Sequence, residues 1–114
     1  MSPMRPLLAT AFLLAATPAF AQTPDLFGDY TVEGRNADGS AYSGDLTLTE
    51  GGTDIYGDWT IGSDSFRGVG RLEGRVLTLQ WEDNAPPVVY VLMPDGTLHG
   101  TWGDGYALER AAPK

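Results

Sequence analysis

The side chains that could do chemistry are few, and their spacing limits what they can do. The chain has one histidine, His99, and no cysteine, so it offers no thiol nucleophile and no cluster of nitrogen and sulfur ligands for zinc. A serine nucleophile would need His99 as its base, and no serine lies in a motif that supports such a pair. General acid–base work needs positioned groups with tuned pKa values, and the strand phase set out below puts no Asp, Glu, His, Lys or Arg on the inner face. By that phase His99 opposes Leu98 and Trp102 and points outward, beside Leu92. Asp38-Gly39-Ser40 and Asp104-Gly105 are turn sequences first, and the Asp-x-Asp-x-Asp-Gly spacing of a calcium loop does not occur. The expectation is a non-enzymatic protein without metal or cofactor. What distinguishes the chain is aromatic: Trp59, Trp81 and Trp102, joined by Tyr42, Phe66 and Tyr106.

Export comes before any of this. Arg5 precedes an apolar run from Leu7 to Ala16, then Thr17-Pro18 and the small-bulky-small Ala19-Phe20-Ala21, which is the order of a cleaved signal peptide over residues 1–21. The apolar run is short of the roughly 20 residues that span a bilayer. Residues 22–114 are then expected as one exported domain, periplasmic or extracellular, with no membrane attachment after cleavage. Of the 7 basic and 15 acidic residues only Arg5 is lost with the leader, so the net charge goes from −8 to −9. That balance argues against nucleic acid, which rewards clustered Lys and Arg, and against anionic lipid. With no cysteine there are no disulfides, and the fold must rest on strand pairing and an apolar core.

Alternating runs separated by Gly-rich turns every 8–12 residues are an all-β pattern. Eight strands are expected: Phe27–Gly34, Ala41–Thr49, Asp54–Ile61, Asp64–Leu72, Arg75–Trp81, Val88–Met93, Thr97–Trp102 and Tyr106–Arg110, with frayed ends at Gln22–Asp25 and Ala111–Lys114. A Gly62-Ser63 turn faces Trp59 with Phe66, Gly57 with Gly68, Asp58 with Arg67 and Asp54 with Arg71, apolar on one face and acid to base on the other. A Glu73-Gly74 turn agrees on which face is inside, setting Phe66 against Trp81 and Gly68 against Leu79. A four-residue loop, Glu50 to Thr53, sets Gly44 against Trp59. Asp95-Gly96 as a two-residue turn sets Val91 against Gly100, and a three-residue loop, Gly103 to Gly105, sets Trp102 against Tyr106. Short turns throughout predict an antiparallel up-and-down meander closing into an eight-stranded barrel, of avidin or lipocalin architecture; a β-sandwich is the alternative.

In such a meander the three tryptophans fall at one end. Trp59, Phe66, Trp81, Trp102, Tyr106 and Tyr42 then form an aromatic layer there, rimmed by Arg35, Asp38, Asp64, Glu82, Asp83 and Asp104. The rings either fill the barrel, whose bore at eight strands just accommodates side chains, or line a pocket for one small ligand. The expected ligand is small and hydrophobic or cationic amphipathic, and an acidic rim over aromatic faces favours a cation or an amphipathic amine. The first reading leaves a structural or adhesive surface protein, the second an exported binding module. On the outer face, Val69, Val76, Tyr90 and Leu92 form an apolar strip suited to weak self-association.

The stretch Asp95-Gly96-Thr97-Leu98-His99-Gly100-Thr101-Trp102 resembles the G-x-L-x-G-T-aromatic strand of avidin-type biotin binders. The likeness covers these eight residues and lies late in the chain, where the avidin strand is early, so no ligand-contacting residue transfers. From Tyr30 to Glu109 the chain is similar to small exported Gly-rich proteins of Gram-negative bacteria, some of them labelled fibronectin-binding. That resemblance implies no mechanism, and its motifs are mostly turns.

Overall fold

Three glycine-first turns set much of the architecture. Gly52-Thr53, Gly62-Ser63 and Gly74-Arg75 each open with glycine at positive φ (73°, 63° and 63°), a conformation that costs glycine no Cβ clash and twists as paired strands twist. They join β2 (Ala41–Gly51), β3 (Asp54–Ile61), β4 (Asp64–Glu73) and β5 (Val76–Gln80). With β1 (Gly28–Arg35), β6 (Val88–Leu92), β7 (Leu98–Trp102) and β8 (Ala107–Pro113), they make up the eight strands of a computed structural model that describes Asp25–Lys114. The expected signal peptide, Met1–Ala21, and the expected fraying of Gln22–Pro24 lie outside the described residues. Each strand pairs antiparallel with its chain neighbour and β8 returns to β1, so the sheet is a closed up-and-down barrel and not a two-sheet sandwich.

The β3–β4 register is the one the Gly62-Ser63 turn dictates: Trp59 faces Phe66, Gly57 faces Gly68 and Asp58 faces Arg67. Outside, Arg67 makes a two-pronged pair with Asp58 (2.8 and 3.0 Å), and Arg71 lies 3.7 Å from Asp54. Two neighbouring registers sit two residues from expectation, because their turns begin at Gly52 and Gly74. Leu46, not Gly44, faces Trp59, and Gly70, not Gly68, faces Leu79. A two-residue shift leaves every side chain on its expected face.

The last two hairpins correct the expectation more deeply. Asp95-Gly96 is not a two-residue turn. Pro94-Asp95-Gly96 is a three-residue loop, closed by Met93 N–H to Thr97 O (2.8 Å) and Gly96 N–H to Met93 O (2.9 Å), with Gly96 at φ 89°. The added residue turns β6 over. Tyr90 and Leu92 are therefore buried in the core, not on an outer strip, and Val91, not Leu92, pairs with the outward His99. The exposed valines on this side are Val69, Val76 and Val91, with Val76 paired to Val91. The loop before β8 likewise holds four residues, Gly103 to Tyr106, with Gly103, Asp104 and Gly105 all at positive φ. Trp102 pairs with Ala107 rather than Tyr106. Tyr106 is 77% exposed and Leu108 points outward, while Ala107, Glu109 and Ala111 point inward. Nor are Ala111 to Lys114 frayed. They complete the β1–β8 seam through Pro113, and Lys114 adds its N–H to Asp29 O and its ammonium to Asp45.

The core runs along the bore: Val32, Leu46, Leu48, Leu77, Leu79 and Leu98 are all but inaccessible. Leu26, just before β1, is buried and accepts the Tyr30 hydroxyl hydrogen bond at its carbonyl (2.5 Å), which packs the end where the chain enters the barrel. The aromatic end is built differently.

Candidate functional site

Strand glycines make room at the aromatic end. A methyl group on Gly68 would come within 2.9 Å of the Trp59 ring, so the bare backbone of β4 is what lets that indole lie across the bore. Trp81 follows β5 and is held by its own loop, the indole N–H donating to Pro86 O (3.1 Å) while the Gln80 amide braces the Glu82 and Ala85 carbonyls (2.8 and 2.6 Å). Phe66, Trp81, Trp102 and Tyr42 then meet edge to face in succession, with centroids 5.9, 6.4 and 6.1 Å apart, the arrangement that aromatic quadrupoles favour.

Beneath these rings is a group the expectation of an uncharged interior did not allow for. Glu109 is 8% exposed and its carboxylate is ringed by donors. The Tyr42 hydroxyl donates to Oε1 (2.7 Å), the Trp59 indole to Oε2 (3.1 Å), and the Tyr90 hydroxyl also to Oε2. Trp59 shares its N–H with the Tyr90 oxygen (3.0 Å), and the Trp102 indole donates to the Tyr42 oxygen (2.8 Å). Burial, followed by the charge and hydrogen bond of Glu109, holds the Tyr90 hydroxyl well above the ordinary tyrosine range. Burial and the Glu109 hydrogen bond raise Tyr42 in the same way. Both tyrosines thus stay protonated donors at neutral pH.

Rings and carboxylate enclose a recess of about 260 Å³, lined by Asn36, Tyr42, Trp59, Ile61, Asp64, Phe66, Trp81, Val88, Trp102 and Glu109. Five of the six expected aromatic residues are therefore brought together. The sixth, Tyr106, is carried outside by the longer loop. Of the expected rim only Asp64 lines the recess. Asp38 is occupied in its own turn, accepting from the Ser40 N–H (2.9 Å) and hydroxyl (2.6 Å), which lower its pKa. Arg35 donates to Gly39 O (3.2 Å); Glu82, Asp83 and Asp104 are exposed on loops outside the lining. A larger open groove of about 710 Å³ crosses β1, β2, β7 and β8 and includes Arg35, Ser43, His99 and Arg110. Its charges are mixed, and it shares Tyr42 and Glu109 with the recess.

No protein-family model matches the chain, and no curated protein matches it. The site therefore rests on its own geometry.

Glu109 and Tyr90 are the members that strand alternation missed. Phase on β8 was ambiguous, since Tyr106-x-Leu108 outweighs Ala107-x-Glu109-x-Ala111 in apolar bulk. A usable signal lay elsewhere. Ala37-Asp38-Gly39-Ser40 and Pro94-Asp95-Gly96-Thr97 share a pattern, and both form the same loop. In each the Asp carboxylate accepts from the N–H and hydroxyl two residues on, and the glycine sits at φ 89°. Reading the pair as three-residue loops with a left-handed glycine turns Tyr90 inward.

Proposed function

We propose that this chain is a non-enzymatic, exported binding module that takes one small apolar or amphipathic ligand at the aromatic end of its barrel. The observation that carries the reading is the 260 Å³ recess over a bore otherwise filled by side chains. Packing alone would favour rings that close the mouth, whereas Phe66 stands 41% exposed and Trp81 and Trp102 are only partly buried. Ligand pockets pair such apolar walls with a few placed polar groups, here Tyr42 and Glu109. The indole N–H groups of Trp59, Trp81 and Trp102 are each spent on internal partners, so the walls are already fixed without a ligand, which lowers the ordering cost of binding.

Native mass spectrometry of protein taken from its own cell envelope tests this directly. A bound small-molecule mass, or a tryptophan fluorescence change with a member of a small-ligand panel that is lost in Trp81→Ala, is the expected result. An empty barrel with no fluorescence response across the panel refutes it.

A further inference from the structure

Glu109 decides what kind of ligand the recess can take. We infer that it binds a small organic ammonium, with an N–H of the cation on Glu109 Oε1 and the organic body against the rings; this rests on the ligand-binding reading above and names its substrate class.

The first step is a balance of charge. A buried carboxylate is costly unless a cation or a full set of donors compensates it. The donors on Glu109 are all neutral, two tyrosine hydroxyls and an indole, and among the described residues it belongs to no ion pair. His99 and Arg110, its neighbours in sequence and pairing, point outward from β7 and β8. Among the described residues the site thus holds a carboxyl group with no cation within ion-pair distance.

The second step is a balance of hydrogen bonds. A carboxylate has about four acceptor positions. Oε2 takes Trp59 and Tyr90, while Oε1 takes only Tyr42, which leaves one position open on Oε1. Among the side-chain donors around the recess none is left over. The Trp59, Trp81 and Trp102 indoles and the Tyr42 and Tyr90 hydroxyls donate within the protein, and the Asn36 amide is turned to Ser40. The recess therefore presents acceptors and aromatic faces and has no free donor from these groups. Its complement is a donor that carries positive charge: a carboxylate oxygen for the N–H, and indole faces for the cation. Asp64 at the lining adds to the same field, whereas an anion would meet repulsion from both carboxylates.

Size completes the class. At about 30 Å³ per water-sized group, 260 Å³ holds on the order of nine non-hydrogen atoms. That suits the seated part of a short arylalkyl or alkyl ammonium.

Two probes of equal size and shape separate charge from apolar fit: 2-phenylethylammonium and 2-phenylethanol. Titrated into the folded protein with calorimetry and tryptophan fluorescence, the ammonium should bind at least tenfold more tightly. The preference should persist in about 0.5 M NaCl, where long-range attraction to an acidic protein is screened but a buried contact is not. In Glu109→Gln, checked for fold by circular dichroism, the two probes should bind within about threefold of each other. Equal or tighter binding of the alcohol by the unmodified protein overturns the inference, whatever the variant does. So does a preference that vanishes with salt or survives intact in folded Glu109→Gln. If uncharged compounds bind and ammonium compounds do not, the ammonium fails while the ligand site stands. If nothing of either kind binds, the site reading falls as well.

Discussion

Replacing Tyr90 by phenylalanine removes one oxygen atom from the middle of the barrel and almost nothing else. The ring stays, so no cavity opens and the packing term is small. The hydroxyl is fully buried, donates to Glu109 Oε2, and accepts from the Trp59 indole (3.0 Å). Trp59 keeps its other acceptor, Glu109 itself (3.1 Å), so the loss falls on the carboxylate, which drops from three donors to two. A hydrogen bond to a charged group contributes about 1.5–3 kcal/mol, and that is the expected cost of Tyr90→Phe. For a domain of this size each kcal/mol moves the midpoint by about 4–8 °C, so Tm should fall by roughly 6–24 °C. Urea unfolding followed by tryptophan fluorescence gives the free energy, and thermal circular dichroism gives Tm. Tyr106→Phe is the internal control, because Tyr106 is 77% exposed and surface changes of this kind stay within about 0.5 kcal/mol. With β6 and β8 in the opposite phase the two variants would trade places. A double-mutant cycle with Glu109→Gln assigns the cause: Tyr90→Phe should cost less than half as much once the carboxylate is an amide. A Tyr90→Phe protein within about 0.5 kcal/mol of the parent, or an equal cost in both backgrounds, would refute the network.

Two further outcomes follow from the same interior. Tyr30, Tyr42 and Tyr90 all have pKa values raised above 10.0 in the fold; above pH 10 the unfolded chain loses these protons first, so stability is fully present below that pH and falls as pH rises through the folded values. Each buried tyrosine contributes a slope of at most about 1.4 kcal/mol per pH unit, and urea unfolding at pH 9 and pH 11, with absorbance near 295 nm to count tyrosinates, should show those ionisations arriving only with unfolding; an unchanged midpoint would contradict the burial. Gly68→Ala puts a methyl group within 2.9 Å of an indole pinned by two hydrogen bonds, so it should cost about 1–3 kcal/mol and shift Trp59 emission, although alanine is otherwise the better strand residue. A stabilised Gly68→Ala protein would mean that the ring does not rest on that backbone.

The barrel was legible from the chain because its evidence repeats, and the floor of the site was not because its evidence does not. Strand alternation, eight runs and short turns all point to the same closed meander, and an error of two residues in a register, as at Gly52 and Gly74, leaves the inward set intact. An error of one residue does not. It arose at Asp95-Gly96 and at Gly103-Asp104-Gly105, where several glycine-rich turns of different length fit the same letters. Those two loops alone decide whether Tyr90 and Glu109 face water or each other. Alternation could not arbitrate, since β6 is apolar in both phases (Val89 and Val91 against Val88, Tyr90 and Leu92) and β8 buries alanines beside its one carboxylate. Alanine at the head of β8 fits the site: Ala107 pairs with Trp102, where a larger inward residue would compete with the ring for the bore. The small residues that blurred the phase of β8 are thus what allow three tryptophans, two tyrosines and a carboxylate to share one end of an eight-stranded barrel, and a pocket built this way conceals its charge from any reading that equates the inner face with the apolar one.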